Sequence, residues 1–154
     1  MFWMTRVVVI IVLMLSAVMT ATAASTIGHV GVTILEPIAL SESTTMDFGA
    51  IPANDGTCSL NETGSLVGTD GSECDGTGQL GEFAIIGSED QQVSIAVTSG
   101  SSVEGITFEP VLHSASTPTL EGGSATVKIG GDLLLSSAPV GQQLLTYFIT
   151  VNYN

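Results

Sequence analysis

The chain ends in the stretch Gly141-Gln-Gln-Leu-Leu-Thr-Tyr-Phe-Ile-Thr-Val-Asn-Tyr153-Asn154, and this stretch decides the fold class. Large apolar or aromatic side chains occupy every second position from Tyr147 to Tyr153, with Thr150 and Asn152 among the residues between them. A period of two is typical of a β-strand that buries one face. The sequence therefore predicts a carboxy-terminal strand.

The same alternation recurs along the rest of the chain, whereas no stretch sustains the apolar spacing of an amphipathic helix. Clusters of Gly, Ser, Asn and Asp separate the runs and are typical of turns. Six or seven short strands at this spacing predict an all-β protein, a single β-sandwich domain over residues 24–154. The predicted runs are Val30 to Leu40 with a bend at Glu36-Pro37, Met46 to Ala50, Leu80 to Ile85, Val93 to Val97, Ile106 to Leu112, Val127 to Leu135 with a break at Gly130-Gly131, and Tyr147 to Tyr153.

The carboxy-terminal stretch resembles one known family. Gly141 is the fourteenth residue from the end, Tyr153 is penultimate, and Tyr147, Ile149 and Val151 alternate before it. Subunits of bacterial chaperone–usher pili carry this pattern in the strand that a periplasmic chaperone grips. The resemblance implies an incomplete sandwich that is completed by a donated strand. It also implies two kinds of partner: a periplasmic chaperone, and copies of the chain itself or related subunits.

A second resemblance covers nearly all of residues 24–154. Pro37-Ile-Ala-Leu40 followed by Met46-Asp-Phe-Gly49 looks like the opening of a family of secreted bacterial domains of undefined function. The run Val127-Lys-Ile-Gly-Gly and the closing Thr150-Val-Asn-Tyr153 are similar to that family's later landmarks. Membership implies an immunoglobulin-like β-sandwich with a role at the cell surface and no catalytic residue.

The donated strand would come from the amino-terminal side of the domain. The candidate donor residues are Ile27, Gly28, Val30, Gly31, Val32 and Ile34, with residues 24–31 as a separate donor extension. Eight residues span only ~27 Å at ~3.4 Å each, which is short for a full donor strand. Two alternatives therefore stay open: the whole segment Ser25 to Leu40 is donated, or the domain completes itself.

The first residues of the chain are typical of an export signal. Arg6 precedes an apolar run from Val7 to Leu15, and Ala21-Thr-Ala23 is a small-residue cleavage pattern. The run is shorter than the ~20 residues of a transmembrane helix. Residues 1–23 are therefore predicted to be a cleaved signal peptide. The protein is expected to be exported through the periplasm to the cell surface or an extracellular fibre.

The two cysteines, Cys58 and Cys74, favour a disulfide because an exported protein meets an oxidising compartment. The bond would close a loop of glycines and polar residues and would contribute roughly 3 kcal/mol in the chain-entropy model. The sequence offers these two thiols no nearby histidine, so a zinc site is not predicted.

The composition excludes several functions. The formal charge is −13, and Arg6 and Lys128 are the only basic residues apart from two histidines. Nucleic acids and anionic membrane surfaces need clusters of Lys and Arg, so neither is an expected partner. Gly100-Ser-Ser-Val-Glu-Gly105 lacks the spacing of a nucleophile elbow. We expect no enzyme activity and no catalytic, cofactor-binding or metal-binding residue; calcium binding by acidic turns such as Asp70-Gly71 stays open.

The sequence therefore favours a structural subunit of a bacterial surface fibre, a pilus or fimbrium, built by donor-strand β-augmentation. The alternative is a monomeric secreted binding module, such as an adhesin of the β-sandwich class. That alternative needs an exposed aromatic platform, and most aromatic residues lie on apolar phases of predicted strands.

Overall fold

The structure is a computed structural model that describes residues 25–154, in which the regular secondary structure consists of nine β-strands. The predicted signal peptide, residues 1–23, lies outside the described residues. Within residues 25–154 no helix is long and apolar enough to cross a membrane. The strands are β1 (Ala39–Thr44), β2 (Gly56–Leu60), β3 (Ser65–Thr69), β4 (Asp75–Thr77), β5 (Gly81–Ile86), β6 (Val93–Ser99), β7 (Ile106–Leu112), β8 (Ser124–Leu135) and β9 (Tyr147–Tyr153).

Seven strands form one antiparallel sheet with β8 at its centre. The order is β1-β5-β8-β2-β3-β4, and β7 also pairs with β8. Along one edge of β8, β5 pairs with residues 124–129 and β2 pairs with residues 131–135. Along the opposite edge, β7 pairs with residues 129–135. The twelve-residue strand β8 is therefore hydrogen-bonded on both sides over most of its length.

The glycine pair in β8 does not interrupt the strand, so the predicted break at Gly130-Gly131 is wrong. The pairing register with β7 is continuous through both residues. A Cβ at Gly131 would lie 2.7 Å from the Phe108 ring, and one at Gly130 would overlap the imidazole of His113. Neighbouring side chains lie directly over the β8 backbone here, so only glycine fits.

The second sheet contains β6 and β9 alone. It lies against the first sheet, because Val93 and Ile95 of β6 share a buried cluster with Ile85 of β5 and Val127 of β8. Leu120, from the loop before β8, completes this cluster. The architecture is therefore all-β with two layered antiparallel sheets, as expected for a β-sandwich.

The disulfide between Cys58 and Cys74 is confirmed, with a Cα–Cα distance of 5.8 Å. The segment between the cysteines is not the coreless loop expected from its composition, because it contains β3 and follows β2 directly. Leu60 and Leu66 are buried together with both cysteines in a second core cluster. This segment is glycine-rich and polar because its other face is exposed.

The predicted strand from Val30 to Leu40 is also wrong as described. The first strand begins only at Ala39, and residues 25–38 have no regular secondary structure. Residues 25–33 belong to a different structural unit from Ile34–Asn154, which contains all nine strands. The alternation before Ala39 therefore does not reflect a paired strand within this chain.

Candidate assembly surface

The strand β9 has one open edge. Within the described residues it pairs with β6 only, in a continuous register from Val93↔Tyr153 to Ser99↔Tyr147. The opposite edge of β6 is covered, because the Val93 N–H donates to the Pro118 carbonyl (3.0 Å) and the Ile95 N–H donates to the Ser116 carbonyl (2.8 Å).

These bonds fix which backbone groups of β9 face outward. The backbone groups of Val93 and Ile95 point away from β9. Those of Ser94 and of every second residue along β6 therefore bond to the even-numbered residues of β9. The backbone groups of the odd-numbered positions therefore point towards the open edge, as strand geometry requires. These are Tyr147, Ile149, Val151 and Tyr153, the residues whose side chains contact the core clusters.

The inward side chains of β9 are only half-buried. All four of them remain partly exposed, whereas Val93 and Ile95 of the neighbouring strand are 0% and 7% exposed. Both strands lie in the same sheet and face the same core, so the difference arises at the open edge. The core is therefore less completely covered on the β9 side than on the β6 side.

The penultimate residue anchors one end of β9. The Tyr153 hydroxyl accepts a hydrogen bond from the Ser88 N–H (2.7 Å) and donates one to the Glu36 carbonyl (2.8 Å). The Glu36 N–H donates to the Ser88 hydroxyl (2.7 Å). A Cβ at Gly87 would overlap the Tyr153 hydroxyl. This network, the Tyr153 clasp, holds β9 against the chain that leads into β1.

The other tyrosine of β9 lies in a different environment. Tyr147 packs edge-on against Phe83 and Phe108, with ring centroids 6.1 Å and 5.8 Å away. Its hydroxyl is buried against Gly81 and has no hydrogen-bond partner among the described residues. Burial, with a smaller contribution from the Glu42 carboxylate, raises the pKa of Tyr147 to about 12.

The strand β1 lies beside β5, the strand against which Tyr147 of β9 packs. It also has an open edge, because within the described residues it pairs only with β5. Leu40 lies opposite the fully buried Ile85, and Glu42 lies opposite Phe83, which contacts Tyr147. Directly opposite residues share one face of a sheet, so Leu40 and Glu42 are on the core-facing side. Both are nevertheless exposed.

We call the space between these two edges the β1–β9 cleft. The Tyr153 clasp lies at one end of it. At the other end, Glu42 is paired with Phe83, whose ring packs against Tyr147. The walls of the cleft are the core-facing positions of β1 and the inward positions of β9. These are Leu40, Glu42, Tyr147, Ile149, Val151 and Tyr153.

The candidate donor residues lie in the segment without regular structure that precedes β1. Ile27, Val30, Val32 and Ile34 are 82%, 95%, 80% and 88% exposed. Gly28 and Gly31 lie between them and are exposed as well. We call residues 25–35 the arm. Four large apolar side chains exposed within eight residues form a patch that a soluble chain usually covers.

Gly141 does not belong to the same surface. It lies in the loop between β8 and β9 with a φ of 117°, where glycine is favoured over other residues. The pattern at the carboxy terminus therefore combines a loop residue with a strand that begins at Tyr147.

Elsewhere on the surface of the described residues, few groups are placed to bind a ligand or a metal ion. A shallow depression of about 350 Å³ lies where β2, β7 and β8 end, and its lining includes Thr57, Thr107 and Leu134 but no ionisable side chain. Within residues 25–154, no group of three or more His, Cys, Asp or Glu residues is arranged to hold a metal ion. Phe148, at 62%, is the one aromatic residue of the described chain that is exposed.

Comparison of the chain with protein-family models, curated proteins and solved structures finds no match. Its function has to be inferred from its own residues and geometry.

Proposed function

We propose that the protein is a structural subunit of a surface fibre, in which the arm of one molecule fills the β1–β9 cleft of the next. The observation that carries the proposal is the open, half-buried strand β9 in a chain that also exposes an apolar arm with no strand partner among residues 25–154. Each feature leaves apolar surface in water, and joining them removes both exposures.

The two surfaces match in length and pattern. The inward positions of β9 are four alternating residues from Tyr147 to Tyr153. One phase of the arm also contains four alternating positions, Gly28, Val30, Val32 and Ile34. A strand added to a sheet edge gains main-chain hydrogen bonds along its length and places alternate side chains in the core. Seven residues are enough for an ordinary strand.

The charges are also compatible. All fifteen acidic residues of the chain lie between Glu36 and Asp132, so the arm contains none. An acidic strand approaching this acidic domain would be repelled, whereas the arm is neutral apart from His29. The arm is thus the part of the molecule best suited to approach a second copy.

In this proposal the fold is an immunoglobulin-like sandwich that lacks one strand and receives it from a neighbour. An open strand edge is prone to uncontrolled pairing, so the edge of β9 would be held by a periplasmic chaperone before a neighbouring arm replaces it. The destination is the cell surface or an extracellular fibre.

The first test compares substitutions on the two phases of the arm. Val32→Asp places a charge among the residues that would enter the core, whereas Thr33→Asp places the same charge on the opposite phase. We expect the wild type and Thr33→Asp to form filaments visible by electron microscopy, and Val32→Asp to remain monomeric in sedimentation. Equal behaviour of the two variants would contradict the proposal.

The second test mixes two variants that cannot assemble alone. Val151→Asp damages the cleft but leaves the arm intact, whereas Val32→Asp damages the arm but leaves the cleft intact. We expect a one-to-one dimer in the mixture and no filaments, because one arm and one cleft remain. Asn152→Asp, on the outward phase of β9, is the control for Val151→Asp. A wild-type protein that stays a closed monomer would instead favour the binding-module alternative.

A further inference from the structure

The two walls of the β1–β9 cleft differ in how readily an incoming strand could pair with them. The β9 wall is seven residues long, regular and uncharged. The β1 wall carries a carboxylate at Glu42 and a register irregularity between Glu42 and Thr44. Inward-pointing charges and bulges are devices by which proteins discourage pairing at a strand edge.

Among residues 25–154, Glu42 has no cationic partner. Lys128 is the only basic residue after Arg6 apart from the two histidines, and its ammonium group lies 3.4 Å from the Glu82 carboxylate. Glu82 alternates with Phe83 on β5, so it occupies the opposite face of the sheet from Glu42. The charge of Glu42 is therefore directed at whatever enters the cleft.

Glu42 also lies close to the inward side chains of β9. It is paired with Phe83, whose ring contacts Tyr147, and its charge contributes to the raised pKa of the Tyr147 hydroxyl. In the proposed assembly, a strand that bonds to the open edge of β9 would run alongside Tyr147 and near Glu42. One of its inward side chains would then lie beside the Glu42 carboxylate.

We infer that Glu42 is a specificity-determining residue, which admits a strand of the arm's composition and rejects a strand carrying a carboxylate at the position beside it. The inference rests on the proposed function and deepens it by stating which strands the cleft excludes. A like charge brought close in a partly desolvated site is strongly unfavourable, and specificity often depends on such repulsion. In a chain with fifteen acidic residues, this would exclude the acidic segments of neighbouring molecules.

The test uses a synthetic peptide of residues 25–35 as a competitor of filament growth, followed by light scattering on the whole protein. Further peptides carry Asp or Asn at position 28, 30, 32 or 34. The two side chains have nearly the same size, so the ratio of the inhibitory concentrations of each Asp/Asn pair isolates the effect of charge.

We expect one position at which the Asp peptide is at least tenfold weaker than the Asn peptide against the wild type. The ratio should fall close to one against Glu42→Gln and should invert against Glu42→Lys. Glu109→Gln, on the exposed outer face of β7, is the matched control and should retain the wild-type ratio. The position that responds also gives the direction of the arm in the cleft.

Asp/Asn ratios that are the same for the wild type and Glu42→Gln at all four positions would overturn the inference while leaving the proposed function intact. Failure of the unmodified peptide to slow growth, together with a monomeric wild type, would instead overturn the proposed function and the inference with it.

Discussion

Strands β8 and β9 both carry alternating apolar residues, yet the fold treats them in opposite ways. β8 has strands on both edges from residue 129 onward, and its inward residue Ile129 there is completely buried. β9 is bonded on one edge, and its inward residues Ile149 and Val151 remain partly exposed. Together with β6, whose second edge is covered by the Pro118 and Ser116 carbonyls, the comparison indicates that cover on both edges, rather than the apolar pattern itself, determines how deeply a strand's side chains are buried.

Truncating the same residue type on each strand gives the largest expected effect. Ile129→Ala removes atoms from a fully buried site and should lower the free energy of unfolding by about 2–5 kcal/mol. Ile149→Ala should cost roughly half as much in the monomer, because its side chain is already partly in water. Urea unfolding at a concentration where sedimentation shows only monomer measures both values.

The same pair of variants can be compared inside the proposed filament. If a neighbour's arm covers β9 in the filament, the loss of free energy caused by Ile149→Ala should approach the loss caused by Ile129→Ala. The measurement must then include both dissociation of the filament and unfolding. An Ile149→Ala cost that is equal to the Ile129→Ala cost already in the monomer would show that β9 is not an exposed edge in solution.

One cysteine of the disulfide lies in a strand that pairs with one edge of β8, whereas β9 has no second neighbouring strand among the described residues. Cys58 lies in β2, which pairs with the second half of β8, and Cys74 is sixteen residues further along the chain. Replacing both cysteines with Ala should lower the free energy of unfolding by about 3 kcal/mol, because the unfolded chain regains the freedom of that loop. Filament formation by the folded fraction should be unchanged, since the cleft lies elsewhere. Loss of filaments from a folded double variant would contradict this separation.

The two tyrosines of β9 allow a finer comparison within one strand. Tyr153→Phe removes two hydrogen bonds and leaves the Ser88 N–H without its partner, so it should cost about 1–3 kcal/mol. Tyr147→Phe removes a buried hydroxyl that has no partner among the described residues, so it should be neutral or slightly stabilising. Thermal unfolding of the two variants distinguishes these outcomes. A larger loss for Tyr147→Phe would mean that its hydroxyl has a partner in solution.

The amino-acid pattern predicted β5 to β9 and the disulfide. The strand predicted from Met46 to Ala50 is wrong, because Asp47 makes only an isolated bridge to Gln79 there. It missed β2 and β3, because only one face of each, with Cys58 and Leu66, is apolar. It also missed β4, an exposed three-residue strand without a large apolar side chain. It also predicted a strand before Ala39, which the structure does not contain. An alternating pattern shows that a segment can pair as a strand, but it does not show that a partner strand is present in the same chain.

The cleft could be predicted only in part. The terminal pattern indicated the inward residues of β9, but the clasp and Glu42 depend on the register between distant strands. One signal was present in the sequence: Gly81 and Gly87 are six residues apart, as are Tyr147 and Tyr153. The Tyr147 hydroxyl packs against Gly81 and the Tyr153 hydroxyl packs against Gly87, so the equal spacing reflects the alignment of β5 with β9. A spacing of this kind becomes interpretable only when the facing strands are known.

The smallest expected effect is a pH dependence confined to one end of β9. The pKa of Tyr147 is raised in the folded protein from 10.0 to about 12, so between these values the unfolded chain loses a proton that the folded chain keeps. Stability from this group is therefore fully present below pH 10 and falls as the pH rises towards 12. Unfolding free energies measured across this range should decline less steeply for Tyr147→Phe than for the wild type. Glu42→Gln should also reduce the slope, though by less than Tyr147→Phe, because burial is the larger cause of the shift. An unchanged slope in Tyr147→Phe would show that this hydroxyl is solvated, and hence that the Tyr147 end of the β1–β9 cleft is more open than the contacts with Phe83 and Phe108 indicate.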